Sequence, residues 1–348
     1  MRIALFVNSV GTEAAHYTTT LLAREALARD HDICYLTPSD FVLRADDTLL
    51  ARALTLPGRG YKKVETLHKA LQSDQSRIET IDVREIDVLM LRNDPSLDLG
   101  ARPWAAHAGT MFGRLAAARG VLVLNDPDGL SLAQNKLYFQ SFPEVVRPAT
   151  LISMSIDEIR AFIDDQPEGA VVKPLQGSGG KNVFKVDSTR DANLNQIVEA
   201  VAEEGYLIAQ SYIPAATAGD VRLFMMNGVP LERDGKFAAL RRVPAEGELR
   251  SNLHVQGKPA KALVTDDMLA IADMLRPKLI QDGLFMVGLD IVGDKVLEVN
   301  VFTPGGLYSI CELQRTNFAE EVIIALERKL KIRAAFGNAI PNRALATL

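Results

Sequence analysis

The residues most able to do chemistry lie in one stretch, 286–304, which reads MVGLDIVGDKVLEVNVFTP. Two apolar, β-branched runs flank residues 293–295, a pattern typical of a β-hairpin. If those three residues form the loop, Asp290 lies opposite Glu298. Asn300 follows on the same face because side chains alternate along a strand. The opposite face then carries only apolar side chains.

The length of the loop decides this geometry. A loop of three residues pairs Val292 with Val296, whereas a loop of two would put Asp290 and Glu298 on opposite faces. The three-residue loop keeps polar and apolar side chains apart, so it is the register predicted here.

Two carboxylates and an amide oxygen on one face are costly unless a cation binds them. All three are oxygen ligands without a nearby Cys or His, which favours Mg²⁺ over zinc. Mg²⁺ held by few protein oxygens takes its other ligands from phosphates and water. The alternative is an ordinary hairpin with a solvated polar face, and this stretch alone leaves both interpretations open.

Composition limits the class of protein. The chain has 348 residues, 47% of them apolar, and a net charge of −5, so it has no basic field for nucleic acid. Cys34 and Cys311 lack the spacing of a zinc site or a disulfide framework and fit a reducing cytosol. The apolar start, 2–7, is too short for a signal peptide, and no run approaches a membrane span. We expect a cytoplasmic protein of about two to three domains.

The first 125 residues alternate predicted strands and helices, which is typical of a small parallel α/β domain. The strands are predicted at 2–7, 31–36, 87–91 and 121–124, and the helices at 18–29 and 104–119. No G-x-G-x-x-G follows the first strand, so dinucleotide binding is a weak interpretation. Residues 37–80 have poor periodicity and are predicted to be mostly loop with helical pieces.

A strand, a glycine-rich turn and a second strand follow over 169–186, the shape of a flexible hairpin flap. Glycines allow backbone N–H groups to approach phosphate oxygens, and Lys173 and Lys181 add charge. The pattern is not a Walker A motif, and taken alone such a turn is more often a simple loop.

The rest of the chain is predicted to contain further helices and strands. These are a helix at 155–165 opened by a capping box, strands at 206–214 and 219–228, a cationic segment at 241–252, a helix at 266–282 capped by Thr265, and a last helix at 317–330 opened by a second capping box. The tail from Arg333 lacks periodicity and is predicted to be loose.

A series of motifs along nearly the whole chain resembles the ATP-grasp ligases and, within them, bacterial glutathione synthetase. These motifs are LMLRNDP (89–95), NDP (125–127), NKLY (135–138), VKPLQGSGG (172–180), AQSYIP (209–214), GDVR (219–222), RVPAEGELRSNL (242–253), GLDI (288–291) and EVNV (298–301). The resemblance implies an α/β protein whose ATP-grasp fold, α+β in its ATP-binding part, follows a small Rossmann-like parallel domain. The implied parts are an N-terminal substrate domain (1–125), a small lobe with the flap (126–205), a C-terminal lobe with metal and catalytic residues (206–332) and a tail (333–348).

The resemblance also implies roles for individual residues. Those that would contact ATP are Lys136, Lys173, Gln176, Gly177, Ser178, Gly179, Gly180 and Lys181 at the phosphates, Gln210, Ser211, Tyr212 and Ile213 at adenine, and Asp220 near the ribose. Those that would hold two Mg²⁺ ions, with Mn²⁺ able to substitute, are Asp290, Glu298 and Asn300. Those that would face the transferred phosphoryl group are Arg222, Arg242, Arg250 and Asn252.

The implied reaction joins a carboxylate to an amine. The carboxylate attacks the γ-phosphorus of ATP in line to give an acyl phosphate and ADP, and the amine then displaces phosphate. The first two reactants are both anionic, so cations must offset their repulsion. Because an acyl phosphate hydrolyses readily, the flap and the segment 244–257 are expected to act as lids.

Departures from the family pattern concern the substrates. Tyr308 stands where the family usually has Arg, and the loop 8–20 lacks the family's acidic, Lys-containing pattern. The leading expectation is γ-glutamylcysteine and glycine. The alternatives are a related ligase for a different amino acid or peptide pair and a non-catalytic nucleotide-binding regulator. The resemblance further implies a homo-oligomer, dimer or tetramer, with small-molecule substrates and no nucleic acid or membrane partner.

Overall fold

The apolar N-terminal run forms an inner strand of the first sheet, and every residue from Ile3 to Phe6 is at most 1% exposed. The strands of this sheet are β1 (Arg2–Phe6), β2 (Asp32–Leu36), β3 (Phe41–Leu43), β4 (Leu49–Thr55), β5 (Arg77–Asp82), β6 (Val88–Leu91) and β7 (Leu122–Leu124). The order β2-β1-β6-β7 is parallel throughout, as predicted. The accompanying helices are α1 (Thr18–Ala28), α2 (Val64–Leu71), α3 (Pro103–Ala106), α4 (Ala108–Ala118) and α5 (Pro127–Leu132). The computed structural model describes residues 1–74, 76–177, 182–191, 193–203, 205–244 and 257–348.

The prediction that residues 37–80 are mostly loop is wrong. Strand β4 pairs antiparallel with β2, β3 and β5 and so extends the parallel sheet at one side. The buried positions of β4 are Leu49, Ala51 and Ala53, and β5 is exposed along most of its length. Alanines and a polar edge strand give little hydrophobic periodicity, which is why the sequence pattern did not reveal these strands.

The second sheet contains the glycine-rich hairpin. Its strands are β8 (Thr150–Ser153), β9 (Ala170–Pro174), β10 (Phe184–Val186) and β11 (Leu207–Ser211), and its helices are α6 (Ile156–Asp164) and α7 (Leu194–Ala202). Strands β9 and β10 pair antiparallel, as predicted for a flap. The buried apolar cluster of this unit draws on residues between 151 and 209 alone, whereas the other two clusters each join the first and third sheets. The second unit therefore has a hydrophobic core of its own.

The third sheet carries most of the predicted site. Its strands, with a small neighbouring hairpin, are β12 (Asp220–Met226), β13 (Val229–Pro230), β14 (Glu232–Arg233), β15 (Lys236–Phe237), β16 (Ala239–Val243), β17 (Lys258–Lys261), β18 (Met286–Val292) and β19 (Lys295–Asn300). The sheet order is β17-β16-β12-β18-β19, and β12 turns into β13 at Asn227 and Gly228. Both turn residues have positive φ, 53° and 75°, the conformation that an Asn-Gly hairpin turn requires.

The loop of the β18–β19 hairpin is shorter than predicted. Val292 pairs with Lys295, so the loop consists of two residues, Gly293 and Asp294. The predicted three-residue loop is wrong, because Lys295 already belongs to the second strand.

The predicted pair Asp290–Glu298 is nevertheless correct. Ile291 pairs with Val296, and the next pair along the hairpin is Asp290 with Glu298. Leu297 is therefore one extra residue in β19, a β-bulge that shifts the register between these pairs. The bulge returns both carboxylates to the same face.

The C-terminal helices depart from two predictions. They are α8 (Asp266–Gln281), α9 (Leu307–Gln314), α10 (Phe318–Phe336) and α11 (Asn342–Leu345). Thr265 caps α8 as predicted, accepting a hydrogen bond from the backbone N–H of Met268. The second predicted capping box is wrong, since the Asn317 side chain donates to Glu25 of α1 at 2.9 Å. That contact joins α10 to the first domain.

The prediction of a loose tail is also wrong. Helix α10 continues to Phe336, beyond the predicted end at Leu330, and Leu345 of α11 is fully buried. The buried ammonium of Lys329 donates to the carbonyls of Leu345 at 3.2 Å and Leu348 at 2.7 Å. These hydrogen bonds hold the tail against α10. They cannot be predicted from hydrophobic periodicity, because they join a side chain to distant backbone carbonyls.

Candidate active site

Arg222 and Asp290 lie opposite each other on β12 and β18 and form a bidentate ion pair. Arg222 Nε donates to Asp290 Oδ1 and Nη2 donates to Oδ2, both at 2.7 Å. The Asp290 side chain is only 3% exposed. Burial alone would raise the pKa of this carboxyl, but Arg222 and Arg242 hold it below its usual value. Asp290 is thus charged and fixed in orientation.

Arg242 completes a buried ionic cluster. Its Nη2 lies 2.6 Å from Asp290 Oδ2 and 2.5 Å from Asp220 Oδ2, and its Nε contacts both Asp220 oxygens at 3.0 and 3.1 Å. Burial acts to lower the pKa of Arg242, yet the carboxylates of Asp290 and Asp220 raise it. Gly219 makes this close packing possible, because a Cβ there would lie 2.0 Å from the Arg242 carbonyl oxygen.

Glu298 differs from Asp290 in having no such partners. It is partly buried, and within the described parts of the chain no hydrogen bond or ion pair engages its carboxylate. Asn300 Nδ2 donates to Asp290 Oδ2 at 3.1 Å, while Asp290 Oδ1 accepts from Arg222. These oxygens retain lone pairs, and turning the Asn300 amide would add its Oδ1. The set fits a hard divalent cation such as Mg²⁺.

Lys173 and Lys136 stand on the other side of the same cleft. The Lys173 ammonium donates to Gln210 Oε1 at 2.9 Å and, among the described residues, forms no ion pair. Burial lowers the pKa of Lys173 to about 8. The Lys136 ammonium donates to the carbonyls of Gly177 at 2.7 Å and Pro174 at 3.3 Å. The Lys173 ammonium, bonded to a neutral amide oxygen, suits a polyanion such as a triphosphate, and Lys136 adds a second positive charge to the cleft.

The structure brings many of the predicted residues together. Those that line the cleft, a cavity of about 160 Å³, are Lys136, Lys173, Gln176, Gly177, Gln210, Glu298 and Asn300. Those of the adjoining ionic cluster are Asp220, Arg222, Arg242 and Asp290. The predicted residues that lie outside the described part of the chain are Ser178, Gly179, Gly180, Lys181, Arg250 and Asn252. All the assigned roles stay predictions.

The segment predicted to contact adenine has part of its backbone already bonded. The N–H of Ser211 donates to the Ala149 carbonyl at 2.9 Å, and that of Tyr212 donates to the Gly169 carbonyl at 3.0 Å. These two N–H groups are therefore already engaged, and the predicted role of the segment at adenine stays a prediction. Asp220, expected near the ribose, is bonded to Arg242 instead, so that role also stays a prediction.

Two family models match this chain and together cover most of it. Residues 1–131 match the family model for the prokaryotic glutathione synthetase N-terminal domain, and residues 135–315 match the model for its ATP-grasp domain. The chain belongs to the prokaryotic glutathione synthetase family.

Two relatives named glutathione synthetase illustrate the extent of the likeness. The one from Synechococcus elongatus is 31% identical over 336 residues, covering 94% of this chain and 98% of the relative. The one from Vibrio cholerae serotype O1 is 32% identical over 318 residues, covering 89% of this chain and 92% of the relative.

A solved structure confirms the predicted fold. D-cycloserine synthetase DcsG superposes with a TM-score of 0.60 at 16% identity, covering 94% of this chain and all of that one. At such low identity the likeness shows the fold alone. The predicted α/β class with an ATP-grasp fold is confirmed by this match and by the family model.

Membership of the glutathione synthetase family confirms the predicted class of enzyme. The chain is an ATP-dependent ligase that forms a carbon–nitrogen amide bond, and it uses ATP and a divalent metal ion. Across the described ranges, no helix combines the length and the apolar character that crossing a membrane requires.

Sequence reasoning missed the pairing within the ionic cluster. Asp220 and Arg222 are two apart on one strand, and each meets an opposite charge across a different neighbour, Arg242 on β16 and Asp290 on β18. Alternating charges in an otherwise apolar strand were a usable signal, because cross-strand neighbours of opposite charge attract. Thr150, which accepts from Gln210 Nε2 at 3.2 Å in the cleft, had no comparable signal.

Proposed function

We propose that this chain joins γ-glutamylcysteine to glycine and converts ATP to ADP and phosphate. The observation that carries the proposal is one cleft that unites the Lys173 ammonium with the Glu298 carboxylate, which has no hydrogen-bond or ion-pair partner among the residues that the structure describes. A site of this kind suits a metal-bound triphosphate. The printed names of the relatives, which cover most of the chain, support the choice of substrates.

Asp290, Glu298 and Asn300 would hold two Mg²⁺ ions, with Mn²⁺ able to substitute. When bound, the ions would neutralise phosphate charge and polarise the phosphoryl oxygens as Lewis acids. Arg222 and Arg242 prepare the site, because their hydrogen bonds fix the Asp290 carboxylate before any ligand arrives.

Other residues would bind and orient ATP. Those proposed for the phosphates are Lys136, Lys173 and the flap residues Gln176, Gly177, Ser178, Gly179, Gly180 and Lys181. Those proposed for adenine and ribose are Gln210, Ser211, Tyr212, Ile213 and Asp220. The second unit, which carries the flap, has its own hydrophobic core and can move without disturbing the other two clusters, so the flap suits a lid that excludes water from the acyl phosphate.

Arg222, Arg242, Arg250 and Asn252 would face the transferred phosphoryl group. Arg222 and Arg242 carry two positive charges that Asp220 and Asp290 balance. A metal ion that shared Asp290 would leave guanidinium charge to interact with the phosphoryl oxygens, which stabilises the charge of the transition state.

We propose the domain bounds 1–125, 126–205, 206–332 and 333–348, a cytoplasmic location, and a homo-oligomer without nucleic acid or membrane partners. The separate core of the second sheet supports a boundary on each side of that unit. The net charge of −5 supports the absence of nucleic acid.

A second candidate is a related ligase that joins a different amino acid or peptide pair. Tyr308, at the start of α9, favours this candidate because the glutathione synthetase family usually places a cation there. Its hydroxyl has a raised pKa, caused by burial, Glu312 and Glu65, so it stays neutral and provides no charge for a substrate carboxylate.

A phosphate-release assay tests the proposal. The chain is incubated with ATP, Mg²⁺ and paired acids and amines, and the products are identified by mass spectrometry. We expect release with γ-glutamylcysteine plus glycine and none when either is omitted. Release only with other pairs would assign the second candidate, and release with no pair would favour a nucleotide-binding regulator.

A further inference from the structure

A group of polar side chains lies at the carboxyl ends of the parallel strands of the first sheet. Glu13 belongs to the loop after β1, Tyr35 lies near the end of β2, and Arg92 directly follows β6. Glu13 Oε2 and the Tyr35 hydroxyl are buried and have no hydrogen-bond partner within the described ranges of the chain. Each such group costs free energy unless something else completes it.

Arg92 is the cation of this group. Its side chain is buried, with the residue 5% exposed, and it donates to two neutral oxygens, Thr19 Oγ1 at 3.5 Å and the Pro304 carbonyl at 3.2 Å. Among the described residues it forms no ion pair. Burial lowers the pKa of Arg92 to about 10, and the Glu13 carboxylate opposes that effect.

Glu13 is the matching anion. Burial raises its pKa to about 7, although Arg92 is close enough to act against the rise. A buried carboxylate and a buried guanidinium this close normally form a bidentate pair, because unpaired charges are costly there. No hydrogen bond joins the two side chains in the part of the chain that the structure describes, and burial together with the Glu13 carboxylate raises the pKa of the Tyr35 hydroxyl. The arrangement suits a third group that carries both a positive and a negative charge.

The loop that carries Glu13 is held firmly. His68 Nε2 of α2 is 2.8 Å from the Glu13 carbonyl, and Gln72 Nε2 donates to the Val10 carbonyl at 2.6 Å. Thr20 Oγ1 donates to the Ala14 carbonyl at 2.8 Å. Side chains of α1 and α2 therefore fix the backbone from which the Glu13 side chain extends.

This group lies next to the proposed reaction centre. Arg92 Nη2 donates to the carbonyl of Pro304, and Arg222 Nη1 donates to the carbonyl of the next residue, Gly305, at 3.3 Å. Arg222 also binds Asp290. One peptide unit thus separates the group around Arg92 from the cluster that would receive the phosphoryl group, a gap that a small acid can span.

We propose that Glu13 is a specificity-determining residue for the acid substrate of this ligase. Its carboxylate accepts hydrogen bonds from an ammonium group of that substrate, and Arg92 donates to the carboxylate beside the ammonium. The substrate class is an acid with an α-amino-acid head group remote from the carboxylate that reacts. The inference rests on the proposed function, because it assumes that an acid is activated beside Arg222.

The test compares γ-glutamylcysteine with glutarylcysteine, which lacks only the ammonium. Binding to the full chain is measured by isothermal titration without nucleotide. We expect the wild type to prefer γ-glutamylcysteine by about 10-fold or more, the range for one charge-assisted hydrogen bond. Glu13→Gln should reduce that preference to less than about 3-fold, since an amide lacks the charge that binds ammonium.

Glu65→Gln is the matched control. Glu65 is an exposed carboxylate on α2, so the variant changes the charge equally and should keep the wild-type preference. Glu13→Gln should unfold at or above the wild-type temperature, because it removes a carboxylate that burial disfavours. A ratio that survives Glu13→Gln, or a wild type that binds both compounds equally or neither, overturns the inference and leaves ordered water as the partner of these groups.

The binding measurement tests the role of Glu13, and the phosphate-release assay tests the proposed reaction, so either hypothesis can be rejected while the other is retained. Release with γ-glutamylcysteine and glycine together with an unchanged binding ratio would retain the proposed function and reject the role of Glu13. If Glu13→Gln loses the preference for γ-glutamylcysteine but the wild type releases no phosphate, the ammonium site would be retained and the proposed reaction rejected.

Discussion

Asp290 and Glu298 face each other across the β18–β19 hairpin although only two residues turn it. A regular two-residue hairpin would place these carboxylates on opposite faces. The bulge at Leu297 adds the one residue that brings them back together. The proposed metal site therefore depends on an irregularity in the backbone as well as on the identity of the ligands.

Deleting Leu297 should leave the two carboxylates paired, because the hairpin then becomes regular and Ile291–Val296 is followed directly by Asp290–Glu298. Glu298 stays on the face of Asp290, so we expect kcat/KM for ligation to remain within about tenfold of wild type, a change of less than about 1.4 kcal/mol in transition-state stabilisation. Circular dichroism and binding of metal-free ATP would show whether the fold and the nucleotide cleft survive.

Leu297→Ala is the control for the deletion. It keeps the number of residues and loses only part of a half-buried side chain, so activity should stay within a few-fold of wild type. A deletion variant that lost activity by more than about 100-fold, while Leu297→Ala kept it, would contradict this pairing.

Replacing Arg242 with Gln should destabilise the fold strongly. The change leaves Asp220 buried without its guanidinium, and breaking a buried pair in this way costs about 3–5 kcal/mol. The matched change at Arg241, an exposed residue whose side chain donates to the Ala218 carbonyl, should cost less than about 1 kcal/mol. Urea unfolding of both variants checks the contrast, and equal losses would contradict the view that the buried cluster is structurally essential.

The affinity for ATP should depend on pH through Lys173. Burial lowers the pKa of this ammonium to about 8, and phosphates attract only the protonated form. We expect the affinity for ATP, measured with EDTA present, to vary little between pH 7 and 8. Above pH 8 the affinity should fall by about tenfold for each further pH unit. The fall ends where the pH reaches the higher pKa that Lys173 has with ATP bound.

Lys173→Arg separates this effect from other titrations. A guanidinium stays charged across the range, so the variant should bind ATP with little pH dependence above pH 8, whatever its affinity at neutral pH. An identical slope in the variant and the wild type would assign the pH dependence to another group.

The sequence predicted the elements whose side chains repeat regularly or whose turns need particular residues. Strand β1 is an unbroken apolar run, Thr265 caps α8, and Asn227 and Gly228 supply the positive φ of their turn. In each case the physical cause lies within a few neighbouring residues, so a local pattern reports it.

The sequence could not predict features caused by distant residues. The Leu297 bulge follows from how two strands pair, the buried tail from bonds to Lys329, and the position of Arg242 from carboxylates on two other strands. None of these causes leaves a repeating pattern of apolar and polar residues in the local sequence. The type of each site residue was visible in the sequence, whereas its hydrogen-bond partners required the fold.

Metal binding is the most direct test of the central claim that Asp290, Glu298 and Asn300 hold a divalent cation. Electron paramagnetic resonance would follow the loss of free Mn²⁺ as the chain is added in the presence of ADP. We predict that the wild type and Asp294→Asn, an exposed carboxylate in the same hairpin, bind Mn²⁺ alike. Glu298→Gln should bind it at least about 10-fold more weakly, remain folded and lose ligation. Equal Mn²⁺ binding by Glu298→Gln and the wild type would contradict the account.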